Sequence, residues 1–249
     1  VLDDLGSDVA LREPPRRVVS LVPSLTEAIA VTVPGVLVGA TDWCTHPAGL
    51  DVTRVRGTKN PNRDLIAALH PDLVVANQEE NRRLDVDRLR AAGIPVWVTR
   101  IDSIAEALDS LDRLFREAFG LRETDWIDKA REVWNRPPRL TGRVALPVWR
   151  DPWIWVGAGT YPNDVLRRLG LVNIVDELRY PHLKISDALR RNPDLALLPD
   201  EPYPPPPAPA PRPPAAPTRT LSARAPTQNS PAKTGTWLYG WPTVRSWQK

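Results

Sequence analysis

The chain has 249 residues, 42% hydrophobic and 25% charged, enough apolar material to bury a core, and it reads as a soluble globular protein. Its net charge of +3 belongs to the last 49 residues: the first 200 carry 27 basic and 29 acidic side chains, which excludes the electrostatic footprint of a nucleic-acid binder. A single cysteine, Cys44, excludes an internal disulfide and any CxxC site, and no apolar run reaches the roughly 18 residues of a membrane span.

The opening Val1-Leu2-Asp3-Asp4 has neither the charged nor the apolar region of a signal peptide, so the residues alone leave the compartment open. Residues 17–22 read as a first strand, and Ser24-Leu25-Thr26-Glu27 reads as a capping box that opens a helix. Residues 36–40 form the next strand. Asn60-Pro61 marks a second helix start, since proline loses nothing at the first helical position. That helix runs to about residue 69, residues 73–76 continue as a buried strand, and a helix over 84–92 closes at the C-cap glycine Gly93. Residues 96–98 give the last strand of this unit.

Ser103 to Glu106 repeats the capping box. Behind it Ile104, Ala107, Leu108, Leu111, Leu114, Phe115 and Ala118 follow the i, i+3, i+4, i+7 rule of an amphipathic helix. A further helix over 124–134 ends before Pro137-Pro138, which cannot continue it. Strand patterns resume at 143–149 and 153–156, then a helix over 163–169 capped by Gly170, then a strand at 195–198. Alternating strands and helices predict parallel α/β units on either side of a helical middle.

Composition changes near residue 201: 13 of the 29 prolines lie in the last 49 residues, with Pro204 to Pro207 consecutive. Such a segment cannot build a core. Three readings stay open: a linker or ligand for a polyproline-reading domain, a structureless tail, and the product of a shifted reading frame. Upstream there is an internal echo. Residues 64–75 and 186–197, aligned on Pro71 and Pro193, both read as helix, sharp stop and buried strand. Two lobes of similar construction suit a small ligand held between them.

Five motifs in order, Arg17-Val-Val-Ser-Leu-Val-Pro-Ser-Leu-Thr-Glu, Thr41-Asp-Trp-Cys-Thr-His-Pro, Gly57-Thr-Lys-Asn-Pro, Pro71-Asp-Leu-Val-Val-Ala-Asn-Gln-Glu-Glu-Asn-Arg and Trp149-Arg-Asp-Pro-Trp, resemble the helical-backbone solute-binding proteins of ABC importers. These are the cobalamin and iron-siderophore type. The resemblance runs from about Asp3 to Pro204. It implies two small α/β lobes with parallel sheets joined by a long backbone helix: lobes at 1–101 and 139–204, the helical connection at 102–138 and the Pro-rich tail at 205–249. It also implies a periplasmic or cell-surface location, with the absent signal peptide keeping a cytoplasmic one open. Where the family continues past Pro204 with a helix, a strand and a closing helix, this chain has its proline tract, so the completeness of the second lobe stays open.

The residues themselves nominate a site, each with a plainer alternative. Ser24 caps a helix whose N–H groups suit an anion, or is only a cap. Trp43 could stack on a flat macrocycle, and Cys44 and His46 are donors for cobalt, iron or zinc, though two donors do not make a metal site and a lone cysteine is commonly inert packing. Lys59 pairs with a ligand carboxylate, or braces the loops as an ion pair with Glu79 or Glu80; Glu79, Glu80 and Asn81 offer acceptors and an amide. From the second lobe, Trp149, Arg150, Trp153 and Tyr161 supply aromatic faces and a guanidinium, with sheet core as the alternative for the tryptophans. His70 and His182, each beside a proline, are poor candidates, and free-ion binding ranks below chelate or corrinoid binding. No cofactor and no protein-bound metal are expected. The resemblance implies cobalamin or an iron chelate as ligand, an ABC permease and ATPase as partners, and contact with the membrane only through the transporter. It places the transporter-docking acids at Asp64 and, shifted by one from Ser186, Asp187. Two other classes remain: an enzyme built on the Cys44 and His46 couple, and a Pro-rich interaction protein.

Overall fold

The computed structural model describes residues 1–136, 138, 140–199 and 219–222. The described chain divides into two compact units, Val1–Ile101 with Ala105–Val133, and Asp102–Ile104 with the residues from Trp134 onward.

The first unit is built on β1 (Val18–Ser20), β2 (Leu37–Ala40), β3 (Thr53–Arg54), β4 (Leu73–Asn77) and β5 (Val96–Thr99). All pairings are parallel, in the order β3-β2-β1-β4-β5. Parallel sheets need cover on both faces. Val19, Leu21, Val74, Ala76, Val96 and Val98 join Ile66, Val86 and Leu89 in one buried cluster. The alternate residues Val18, Leu73, Val75 and Trp97 point to the other face and are equally buried. Helices α1 (Pro23–Thr32), α2 (Arg63–Ala68) and α3 (Arg83–Ala91) connect the strands.

Two helix starts differ from the sequence reading. Helix α1 begins at Pro23, its N-cap Val22 has no side-chain cap, and Ser24 therefore lies inside the first turn rather than capping it. Pro23 at the first position pre-sets the helical φ and makes the hydroxyl cap unnecessary. Helix α2 is capped by Asn62, whose Oδ1 accepts from the Leu65 N–H at 3.1 Å, so Pro61 precedes the helix instead of opening it. The two-residue β3 is too short to leave an alternation in the sequence and was not expected.

The helical middle starts as α4 (Ile104–Arg113), widens into a π-helical turn over Leu114–Ala118, and resumes as α5 (Asp125–Trp134). The apolar stripe holds through the change: Leu114 and Phe115 are fully buried, and Phe115 meets Trp126 edge-on at 6.3 Å. An N-terminal strap adds a feature that the sequence did not reveal. Buried Asp3 accepts from the Arg90 guanidinium at 2.6 Å, and Asp4 from that of Arg113 at 2.9 Å.

The second unit has a parallel sheet ordered β11-β10-β6-β9, from β6 (Gly142–Ala145), β9 (Leu171–Asn173), β10 (Leu195–Leu198) and β11 (Arg219–Ser222). The expected strand at 143–149 is two elements. Beyond β6 the chain turns into a hairpin of β7 (Pro147–Trp149) against β8 (Ile154–Trp155). Helix α6 (Tyr161–Arg168) is capped by the Thr160 hydroxyl and followed by Gly170 at φ +89°, where glycine relieves the strain of the left-handed conformation. Helix α7 (Ile185–Leu189) precedes β10 as the internal echo predicts. Within the Pro-rich segment, where no element was expected, Arg219–Ser222 pairs in parallel with Leu195–Leu198. The rest of that segment lies outside the described residues.

Candidate ligand-binding site

Strand β1 lies between β2 and β4, so the chain leaves it toward one side of the sheet and later returns on the other. Ligands of doubly wound sheets gather at such a switch, beyond the carboxyl ends of the strands. Four connections meet that edge: 21–23 after β1, 41–46 after β2, 55–59 after β3 and 78–81 after β4. They carry seven of the eight residues nominated from the first lobe, and the eighth, Ser24, lies in the first turn of α1.

The 41–46 loop folds inward at Cys44. Its Sγ lies 3.0 Å from the Thr26 hydroxyl and 3.1 Å from that of Thr41, and the residue is fully buried. Burial pushes the thiol pKa up, against weaker opposing hydrogen bonds from the two threonines. Cys44 is thus a protonated packing thiol, neither an exposed metal donor nor an activated nucleophile. The sequence reading missed Arg54, which fixes this loop by donating to the carbonyls of Thr41 at 3.1 Å and Cys44 at 2.8 Å. A basic residue in a two-residue strand has no motif to reveal it.

Trp43 is half-buried and rests on the next connection. A Cβ on Gly57 would stand 3.1 Å from the Trp43 Nε1 and 2.6 Å from the Asn60 Oδ1, so a side chain there would displace the Asn60 amide and press on the indole. His46 is exposed and faces Glu27, one turn into α1. Burial pushes the Glu27 carboxyl pKa up, and the imidazole charge pulls it part of the way back. Glu27 entered the sequence reading only as a capping residue. Its place one turn after a strand end was the available signal.

Lys59 donates to the main-chain carbonyl oxygen of Glu79, a brace to the backbone where the plainer alternative had an ion pair with the Glu79 or Glu80 carboxylate. Burial lowers its pKa, Glu80 raises it and the nearby Arg82 lowers it. Glu80 is buried. Asn81 is fully buried too: its Nδ2 donates to Leu21 O at 3.2 Å and Thr58 O at 2.9 Å, and its Oδ1 accepts from the Asn77 N–H at 2.9 Å. The amide is engaged by protein on three sides rather than offered to a ligand. Ser24 is half-buried beside these loops.

In the second unit Arg150 and Trp153 lie in the turn of the β7–β8 hairpin. Trp149 is 45% exposed, whereas Trp155 is buried and donates to Leu183 O at 2.9 Å. Trp153 stacks on Trp155 with ring centroids 5.7 Å apart and planes 26° from parallel. The alternation therefore divides: Trp155 is core, Trp149 is surface, and Trp153 is held by core while lying in the turn. Tyr161 opens α6, and burial together with the Asp164 carboxylate pushes its phenol up to about 12.

Asp64 is exposed in the first turn of α2. Asp187, in α7, accepts from Arg190 at 2.5 Å. His70 and His182 are both exposed. Among the described residues no group of three or more His, Cys, Asp or Glu side chains could hold a metal ion, and no helix is long and apolar enough to cross a membrane.

A family model described as periplasmic binding protein matches residues 18–200. A vitamin B12-binding protein of Yersinia pestis is 37% identical, over 73% of this chain and 69% of the relative. The crystal structure of the periplasmic vitamin B12-binding protein of Vibrio cholerae superimposes with a TM-score of 0.62 at 23% identity, covering 75% of this chain and 77% of that one. A periplasmic heme-binding protein of Pseudomonas aeruginosa gives 0.62 at 22% identity, covering 74% and 72%. These likenesses are to proteins described as binding proteins. The chain belongs to the periplasmic binding protein family, the solute-binding components of ABC importers.

Proposed function

We propose that this chain captures a metal-bearing macrocycle or chelate, such as a corrinoid, heme or iron siderophore, outside the cytoplasmic membrane and delivers it to an ABC permease with its ATPase. The observation that carries the reading is Trp43: a half-buried indole seated against Gly57 at the carboxyl edge of a doubly wound sheet. A flat aromatic face in that place suits a flat ligand. With the Cys44 thiol committed to Thr26 and Thr41, the donors around it suit a ligand that brings its own metal coordination rather than a bare ion. The names of the relatives, vitamin B12-binding and heme-binding, support the same class. Asp64 is the proposed docking acid toward the permease.

A thermal-shift screen tests the ligand class. A true ligand at 100 times its Kd stabilises by about 2.7 kcal/mol. Cyanocobalamin, hemin or a ferric siderophore should raise the melting temperature, and ferric or zinc ion alone should not. Stabilisation by the free ions and by none of the three compounds would defeat the reading.

A further inference from the structure

We propose that Asn81 is the positioning residue of this site, locking the loops after β1, β3 and β4 into one arrangement that sets Trp43 and Lys59. The inference rests on the ligand-capturing role proposed above for these loops. Asn81 is 0% exposed, and its side chain spans the switch point itself. One N–H reaches Leu21 O, on the β1 side; the other reaches Thr58 O, in the turn after β3. The carbonyl oxygen takes the Asn77 N–H at the end of β4. Only a short planar amide offers two donors and an acceptor in this space; aspartate would face two carbonyls with no proton to give.

Thr58, which Asn81 holds, stands between Gly57 and Lys59 in the chain. On one side Gly57 carries the Trp43 indole, and on the other Lys59 reaches the Glu79 carbonyl. The sequence reading offered the Asn81 amide to a ligand. Its geometry assigns it a role through Trp43 and Lys59 instead, because a site whose contacts are pre-set loses less freedom on binding.

The test uses Asn81→Ala and Asn81→Ser, each also made with Trp43→Phe so that the Trp43 emission is obtained by difference. Serine keeps a polar group in place but cannot span both carbonyls, and it carries the test if the alanine variant does not fold. Acrylamide quenching of Trp43 should rise by about twofold as the loop opens locally. The pH midpoint for acetylation of Lys59 should move up toward that of an ordinary lysine. Leu114→Ala, a core truncation in the same unit, should lower thermal stability and move neither readout. Whichever of cyanocobalamin and hemin binds the native chain should bind the Asn81 variants about tenfold more weakly, a cost of about 1.4 kcal/mol. Unchanged quenching and an unchanged Lys59 profile in a folded Asn81 variant would overturn the proposal. If neither these two compounds nor a ferric siderophore binds the native chain, the ligand reading fails, while quenching and acetylation still decide the positioning role.

Discussion

The main-chain N–H of Arg17 donates to the Asp72 carboxylate at 2.9 Å, while the Arg17 guanidinium holds the Leu69 carbonyl at 2.7 Å. The second unit repeats this clamp. Arg143 N–H donates to Asp194 at 2.8 Å, and its guanidinium holds the Arg191 carbonyl at 2.8 Å. The residues before the two prolines, His70 and Asn192, both take the left-handed conformation, at φ +46° and +51°. The internal echo therefore extends from residue pattern to hydrogen bonds: a helix is stopped, turned and tied to the start of a strand by the same Arg and Asp.

Removing either acid should loosen its own unit. Asp72→Ala and Asp194→Ala are each expected to cost about 1 kcal/mol or somewhat more, since hydrogen bonds to a charged group are lost. Urea denaturation of each variant measures this, with unchanged midpoints as the contrary result.

The parallel arrangement was legible because buried strands such as Leu73–Asn77 stand out as short apolar runs ended by Pro, Gly or Asn. The amphipathic stripe from Ile104 to Ala118 was equally plain, but the switch to a π-turn at Leu114 left no trace, since it keeps the same face inward. Of the site, the sequence indicated which loops carry it. It could not say which polar groups those loops spend on each other. Cys44 and Asn81 looked like ligand donors, yet both are consumed by contacts from residues 18 and 60 positions away in the chain.

Cys44 should be chemically silent. Its burial and raised pKa predict that Ellman's reagent at pH 8 reacts only after denaturation, and that Cys44→Ala leaves ligand affinity unchanged while costing about 1 kcal/mol of stability. Native-state labelling at the denatured rate would contradict this.

Glu177 supplies a pH dependence with a defined sign. The Arg191 guanidinium, bonded to it at 2.5 Å, holds its carboxyl down to about 2 from an ordinary 4.5. A depressed folded-state value means that the contribution is complete above about 4.5 and disappears as pH falls through about 2. Melting temperatures of wild type and Glu177→Gln should therefore differ at pH 7 and converge near pH 2. A gap that persists at low pH would show that the ion pair is not its source.

Docking should depend more on Asp64 than on Asp187. Asp64 is exposed, whereas Asp187 is already engaged by Arg190. With a permease that accepts this protein, Asp64→Lys should depress uptake and spare ligand affinity, more so at low salt, because exposed charge contacts are screened. Equal uptake by wild type and Asp64→Lys would remove the docking role.

The most direct test is calorimetric titration of the native chain and of Trp43→Ala with cyanocobalamin and with hemin. Cyanocobalamin, hemin or, titrated in the same way, a ferric siderophore should bind the native chain, and the substitution should weaken that binding by about 1–3 kcal/mol, roughly 5- to 150-fold, as expected for an aromatic anchor covered by the ligand. Binding of either compound undiminished by Trp43→Ala, or no binding of these two or of a ferric siderophore to the native chain, would contradict the account.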